Sequence, residues 1–315
     1  MVGAVIALGS AAAAQGAMAG PTTSGIVVVP CNTKALTSAL SSASNGEKLQ
    51  LAFGCTYLLS APLPPIDTNL TIVGFGATLE RQTRGTPAFT ILTVDGGDVT
   101  FVEVNFRNGL GRYEGCGEIG GDCAEANDKY SAGAIANEGG NITMLGGTFT
   151  GNRSEDYGGA IANDDGTLTM TSTYFIDDRA NREGGAIYND DTMTLRSSHF
   201  LHNSAEYGGA IYNKGIATVI GTSFTQDDSF DGGALYNENQ ATLSSVTVQD
   251  NDASYGGGIF NEYLLTVNSG NIVSNDADSA GGGIYNNGDV ALSLTKVSGN
   301  VPDNCAPAAI AGCSG

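Results

Sequence analysis

Between residues 132 and 300 the chain returns seven times to a variant of Gly-Gly-Ala-Ile-Tyr-Asn. The copies read AGAIAN (Ala132–Asn137), GGAIAN (Gly158–Asn163), GGAIYN (Gly184–Asn189), GGAIYN (Gly208–Asn213), GGALYN (Gly232–Asn237), GGGIFN (Gly256–Asn261) and GGGIYN (Gly281–Asn286), spaced 26, 26, 24, 24, 24 and 25 residues apart. A fixed period of this size marks a solenoid, in which no single copy can bury its apolar face and stacking supplies the core. Fold is constrained far more tightly than activity.

Alignment on the paired glycines exposes columns. The fourth residue is always aliphatic: Ile135, Ile161, Ile187, Ile211, Leu235, Ile259 and Ile284. A strand alternating apolar residues with Thr follows, as in Leu168-Thr169-Met170 and Met193-Thr194-Leu195. Then comes a large apolar residue with Asn or Asp three positions later: Phe149/Asn152, Phe175/Asp178, Phe200/Asn203, Phe224/Asp227, Val248/Asn251, Ile272/Asn275 and Val297/Asn300. Period-2 alternation broken by Gly, Asn, Asp and Ser is strand-and-turn chemistry. A helical solenoid would need apolar residues at i, i+3, i+4 and i+7, which the copies lack. A propeller blade needs roughly 40 residues. What remains is a parallel β-helix, one coil of three short strands per copy, with like residues stacked about 4.8 Å apart. Ile and Phe are expected inside, and stacked Asn side chains are expected to bond one another at the corners.

Thirty-three acidic against 13 basic residues give a formal net charge of −20. That balance repels nucleic acid and anionic membrane, and argues against an acidic polysaccharide unless a divalent cation bridges the two. Residues 1–19 form an apolar, Ala-rich stretch ending Ala17-Met18-Ala19, expected to be a secretory signal peptide although no Lys or Arg stands near its start. No later segment is long and apolar enough to span a membrane as a helix. The cysteines fall as three close pairs, Cys31 with Cys55, Cys116 with Cys123, and Cys305 with Cys313, read as local disulfides of an extracellular protein.

Residues 20–48 are expected to cap the rod, with a short helix over Thr33–Asn45 starting from Thr33 as N-cap and plugging the first coil. Irregular coils are expected over 49–108, a disulfide-pinned loop over 109–131, regular coils over 132–300 and a cystine-bearing cap over 301–315. The whole is one all-β domain of about ten coils, single-stranded and right-handed as parallel crossovers generally are.

The pairing of Gly-Gly-Ala-Ile with an in-phase Phe-x-x-Asn resembles the repeat of the chlamydial-type polymorphic outer membrane proteins. The likeness covers roughly Ala132–Asn300. It implies a β-helical passenger domain acting as an adhesin, although no segment here resembles that family's translocator barrel. The N-terminal half and the Cys-bearing ending are similar to secreted right-handed parallel β-helix proteins, an architecture shared with pectin lyases.

Three groups of residues are candidates for function. If the Ile of each copy points inward, its neighbours on either side, the third and fifth residues, point outward. The fifth-residue column reads Ala136, Ala162, Tyr188, Tyr212, Tyr236, Phe260, Tyr285, so five rings would form a platform about 20 Å long on which sugars could stack. Tyr212→Ala and Tyr236→Ala should then leave folding intact and abolish glycan retention. The two alanines are expected to lie under the 109–131 loop. A second group is the paired carboxylates Asp164, Asp165, Asp190 and Asp191, which could recruit Ca²⁺ or, with Arg179, act as acid and base in polysaccharide cleavage. Asp-Asp after Asn is also ordinary turn chemistry. The third group is the only two histidines, His199 and His202, expected at the surface without a Ser or Cys partner. A secreted or cell-surface glycan-binding protein is the leading reading, with a polysaccharide lyase or glycoside hydrolase as the alternative. No cofactor other than Ca²⁺ is called for.

Overall fold

The computed structural model describes residues 25–112, 131–307 and 310–313. Residues 1–19 and most of the 109–131 loop lie outside them. The chain winds into a parallel β-helix with eleven rungs on its longest face, from Ile26–Val29 at one end to Asp289–Ser293 at the other. The sequence suggests about ten. The extra rung is Ile26–Val29, inside the segment assigned to the cap, which pairs in parallel with Glu47–Leu51.

Each regular coil carries three strands, for example Ile187–Asn189, Thr192–Arg196 and His199–Leu201, and each strand pairs with its equivalent one coil along. Register follows the repeat: Ile135, Ile161, Ile187, Ile211, Leu235, Ile259 and Ile284 face one another in sequence, all 2% exposed or less. Phe106, Phe149, Phe175, Phe200 and Phe224 stack ring on ring with centroids 4.6–5.0 Å apart. Together with Leu168, Met170, Met193 and Leu195 they form one continuous dry cylinder. Burying a side chain of this size contributes about 1.5–3 kcal/mol, and the column repeats it at every coil.

Two corners are held by polar ladders. At the first, Asn137, Asn163, Asn189, Asn213, Asn237, Asn261 and Asn286 are linked, each Nδ2 donating to the next Asn Oδ1 at 2.6–2.8 Å. At the second, Asp178, Asn203, Asp227, Asn251, Asn275 and Asn300 accept backbone N–H groups from the preceding coil, as Asp178 Oδ1 does from Asn152 N at 2.7 Å. This is the stacking expected of these columns.

The paired glycines explain the turn. The first of each pair has φ of +52° to +68° from Gly158 to Gly281. A Cβ on the second would meet the next coil's backbone, 1.9 Å from Gly209 O in the case of Gly185. Only glycine meets both demands.

The third residue of each motif departs from expectation. Ala134, Ala160, Ala186, Ala210 and Ala234 face the main core and are fully buried. The N–H groups of Ala134 and Ile135 both donate to Ala160 O, so the chain bends there and strand alternation begins only at the Ile. The helix spans Thr33–Ser41 and places Leu36 and Leu40 against the first coils. Its N-cap is Asn32, not Thr33: Asn32 Oδ1 accepts Ala35 N at 3.2 Å.

Two of the three expected disulfides stand among the described residues. Cys31 is bonded to Cys55 and Cys305 to Cys313, with Cα atoms 5.7 and 6.3 Å apart. The third, between Cys116 and Cys123, differs in standing: Cys116 lies outside the described residues, and Cys123 lies outside them too. The bond of Cys123 to Cys116 therefore stays an expectation drawn from spacing alone.

Candidate functional site

The fifth-residue rings do form a ladder. Tyr188, Tyr212, Tyr236, Phe260 and Tyr285 stack with centroids 5.8, 4.9, 4.8 and 5.0 Å apart. The open platform expected of them is corrected by their burial: Tyr188 is 1% exposed, Tyr212 9% and Phe260 6%, with Tyr236 and Tyr285 half-buried. In alternate copies the residue just before the glycine pair is a tyrosine that folds back over the face. Tyr157 packs on Tyr188 at 4.9 Å, Tyr207 on Tyr236 at 5.7 Å and Tyr255 on Tyr285 at 5.2 Å. Arg182 holds Tyr157 in place, its guanidinium 5.6 Å from the ring centre and Nη1 donating to the hydroxyl at 3.3 Å. The result is a second, smaller core of Ala132, Ala136, Ala162, Tyr188 and Tyr212. Tyr212→Ala is therefore a packing mutation.

The hydroxyls at the rim of this core meet acids. Tyr212 donates to Glu238 Oε2 at 2.6 Å, and Tyr236 to Glu262 Oε1 at 3.3 Å. Burial first, then the bond to Glu238 and the charge of Glu183, pushes the Tyr212 hydroxyl far above the ordinary tyrosine range. Tyr236 is shifted the same way by burial and Glu262. These tyrosines stay protonated donors across the physiological range.

The four aspartates divide. Asp191 Oδ2 accepts Gly166 N at 3.0 Å and its Oδ1 accepts Thr192 Oγ1 at 3.0 Å, which is turn chemistry. Asp190 Oδ2 lies 2.9 Å from Lys214 Nζ. Asp165 pairs with Glu138 through a register shift, because the Gly158 copy carries one extra residue there. Asp164 remains the acid with a perturbed proton: burial, then the charges of Asp190 and Asp165, lift it to about 6 against the pull of Lys214. With Asp191 spent on a turn and Asp190 on a lysine, the set does not fit a calcium cage. Among the described residues no group of three or more His, Cys, Asp or Glu side chains converges to hold a metal ion. Arg179 stands elsewhere, in the column Arg153–Arg179–Ser204–Asp228, where its charge draws on Asp228.

His199 does have a serine beside it, which the linear sequence hides: its Nδ1 lies 2.8 Å from Ser223 Oγ, one coil on, and its ring stacks on Tyr174 at 4.7 Å. A period of 24 residues was the available signal. Among the described residues no carboxylate is hydrogen-bonded to His199, so the pair lacks the group that orients a nucleophile's base.

Two segments of the chain, residues 146–164 and 197–214, match the Chlamydia polymorphic membrane protein repeat. Each runs from a Phe-x-x-Asn through the following Gly-Gly-Ala-Ile-x-Asn, so the matched unit is one corner ladder, the covering turn and the next. No curated protein of similar sequence was found. The chain is a β-helix repeat protein whose repeats are similar to those of polymorphic membrane proteins.

Proposed function

We propose that this chain is an extracellular binding rod, adhesin-like, that presents a repetitive face to a cell-surface glycan. The observation that carries the reading is the repeat itself. Units similar to those of polymorphic membrane proteins stack into an uninterrupted parallel ladder, so surface side chains recur at about 4.8 Å along the rod. Such a surface suits a partner that is itself periodic. Cys31–Cys55 and Cys305–Cys313 fit an oxidising compartment. The net charge of −20 favours a neutral over an acidic partner. No helix among the described residues is long and apolar enough to cross a membrane.

Retention of the purified chain on cultured cells, before and after enzymatic deglycosylation, tests this. Retention lost on deglycosylation supports a glycan partner. Equal retention on both surfaces rejects the glycan and keeps the adhesin; no retention on either rejects both.

The catalytic reading keeps one observation, the Asp164 proton held to about 6 beside Asp190. A general acid of that kind should release reducing ends from a polysaccharide, and Asp164→Asn should stop it. Absence of product from the unmodified chain removes this reading.

A further inference from the structure

A column on the corner after the second ladder reads Arg153, Arg179, Ser204, Asp228, Asp252, Asp276, in register from coil to coil. Its charge changes sign at Ser204. At that change the surface sinks into a groove of about 440 Å³, walled by Arg179 and Asn181 on one side and by Asp228 and Phe230 on the other. A cavity of this size falls within the range of small-ligand sites.

Three features there serve no purpose in packing. Phe230 is 52% exposed, its ring offered to solvent where the other phenylalanines of the repeats are internal. The Arg179 side chain makes no hydrogen bond or ion pair among the described residues, although it stands two coils, roughly 10 Å, from Asp228. Ser229 lines the groove, is nine-tenths buried, and its hydroxyl has no partner among the described residues. Burying a hydroxyl without a partner is unfavourable, and a ligand group would relieve it.

We propose that this groove is the sugar subsite of the rod, taking one or two residues of a neutral oligosaccharide with a ring stacked on Phe230. The inference rests on the glycan-binding reading above and names where it acts. A sugar offers an apolar C–H face to an aromatic ring and a fringe of hydroxyls that both donate and accept. Asp228 and Glu206 accept from such hydroxyls; Arg179 and Asn181 donate to them. Two carboxylates against one guanidinium turn away a uronate chain.

Titration calorimetry on the full chain with cellohexaose and laminarihexaose, set against hexagalacturonate and hexalysine, tests the assignment. At least one neutral hexasaccharide should bind, and Phe230→Ala should weaken it tenfold or more without moving the melting temperature. Phe230→Tyr should retain binding, and Arg179→Ala should weaken it severalfold. Unchanged affinity in Phe230→Ala, or preference for hexagalacturonate or hexalysine, overturns the subsite. If the chain is held by cell-surface glycan in the retention assay and Phe230→Ala is held equally well, the groove is wrong and the adhesin reading stands. If neither glycan-bearing cells nor hexasaccharides are bound, both fall.

Discussion

The two corner ladders do the same geometric work with different chemistry. From Asn137 to Asn286 one is asparagine throughout, and every Nδ2 but the last finds an Oδ1 on the next coil. The other replaces asparagine at Asp178 and Asp227, both fully buried. Their Oδ1 atoms accept the same bonds an asparagine would, from Asn152 and Asn203. Their Oδ2 atoms, where an amide would donate, have no partner among the described residues. A carboxylate there is an acceptor facing acceptors. Burial accordingly pushes Asp227 up to about 8 and Asp178 well above the ordinary range, despite the N–H donors that oppose the shift. Carrying a proton, each acid imitates the amide it replaces. One ladder is indifferent to pH and the other is not.

The strongest way to break the comparison is to remove a rung from the asparagine ladder. Asn213 Nδ2 donates to Asn237, Gly215 and Gln240, and its Oδ1 accepts from Asn189. Asn213→Leu leaves those groups dry and unpartnered, so urea unfolding should show a loss of about 4 kcal/mol. A loss below about 1 kcal/mol would mean the ladder is ornamental.

Asp227→Asn sharpens the comparison in the opposite direction. A carboxyl group whose pKa is higher in the folded chain holds a proton the unfolded chain has given up. Its contribution is complete below about 4 and is lost as pH rises towards 8. Asp164 and Asp231, each raised to about 6, add to the decline at its lower end. Stability of the unmodified chain should therefore fall between about pH 4 and 8. Asp227→Asn should flatten that slope and stabilise at about pH 8 by on the order of 3 kcal/mol, with little change at about pH 4. Parallel slopes in the two proteins would contradict the neutral-acid account.

A bond outside both ladders sets the scale. Tyr212→Phe removes the hydroxyl donated to Glu238 and keeps the ring in its stack, so chemical denaturation should register about 1 kcal/mol. A larger loss would place the rim hydroxyls on a par with the ladders.

Columns governed by one coil were legible in the sequence, because like stacks on like: the Ile and Phe core and both polar corners stand where alignment puts them. Features needing two coils were not. The cover over the tyrosines comes from Tyr157, Tyr207 and Tyr255, which alternate with Glu183 and Asp231 in one column, so a single-copy alignment sees no pattern. Ser223 beside His199 and Arg179 opposite Asp228 are likewise neighbours only across coils. Asp178 and Asp227 looked interchangeable with Asn as corner residues. Burial makes them different, and burial is not written in a column.

The stacked rod requires each residue of one coil to lie on its counterpart in the next along one axis. Spin labels at Leu145 and Ser293, both exposed and in the same column six rungs apart, measure this directly by pulsed dipolar spectroscopy. Six spacings of about 4.8 Å predict a narrow distribution near roughly 29 Å. A broad distribution, or one centred beyond about 40 Å, would contradict the stacked rod.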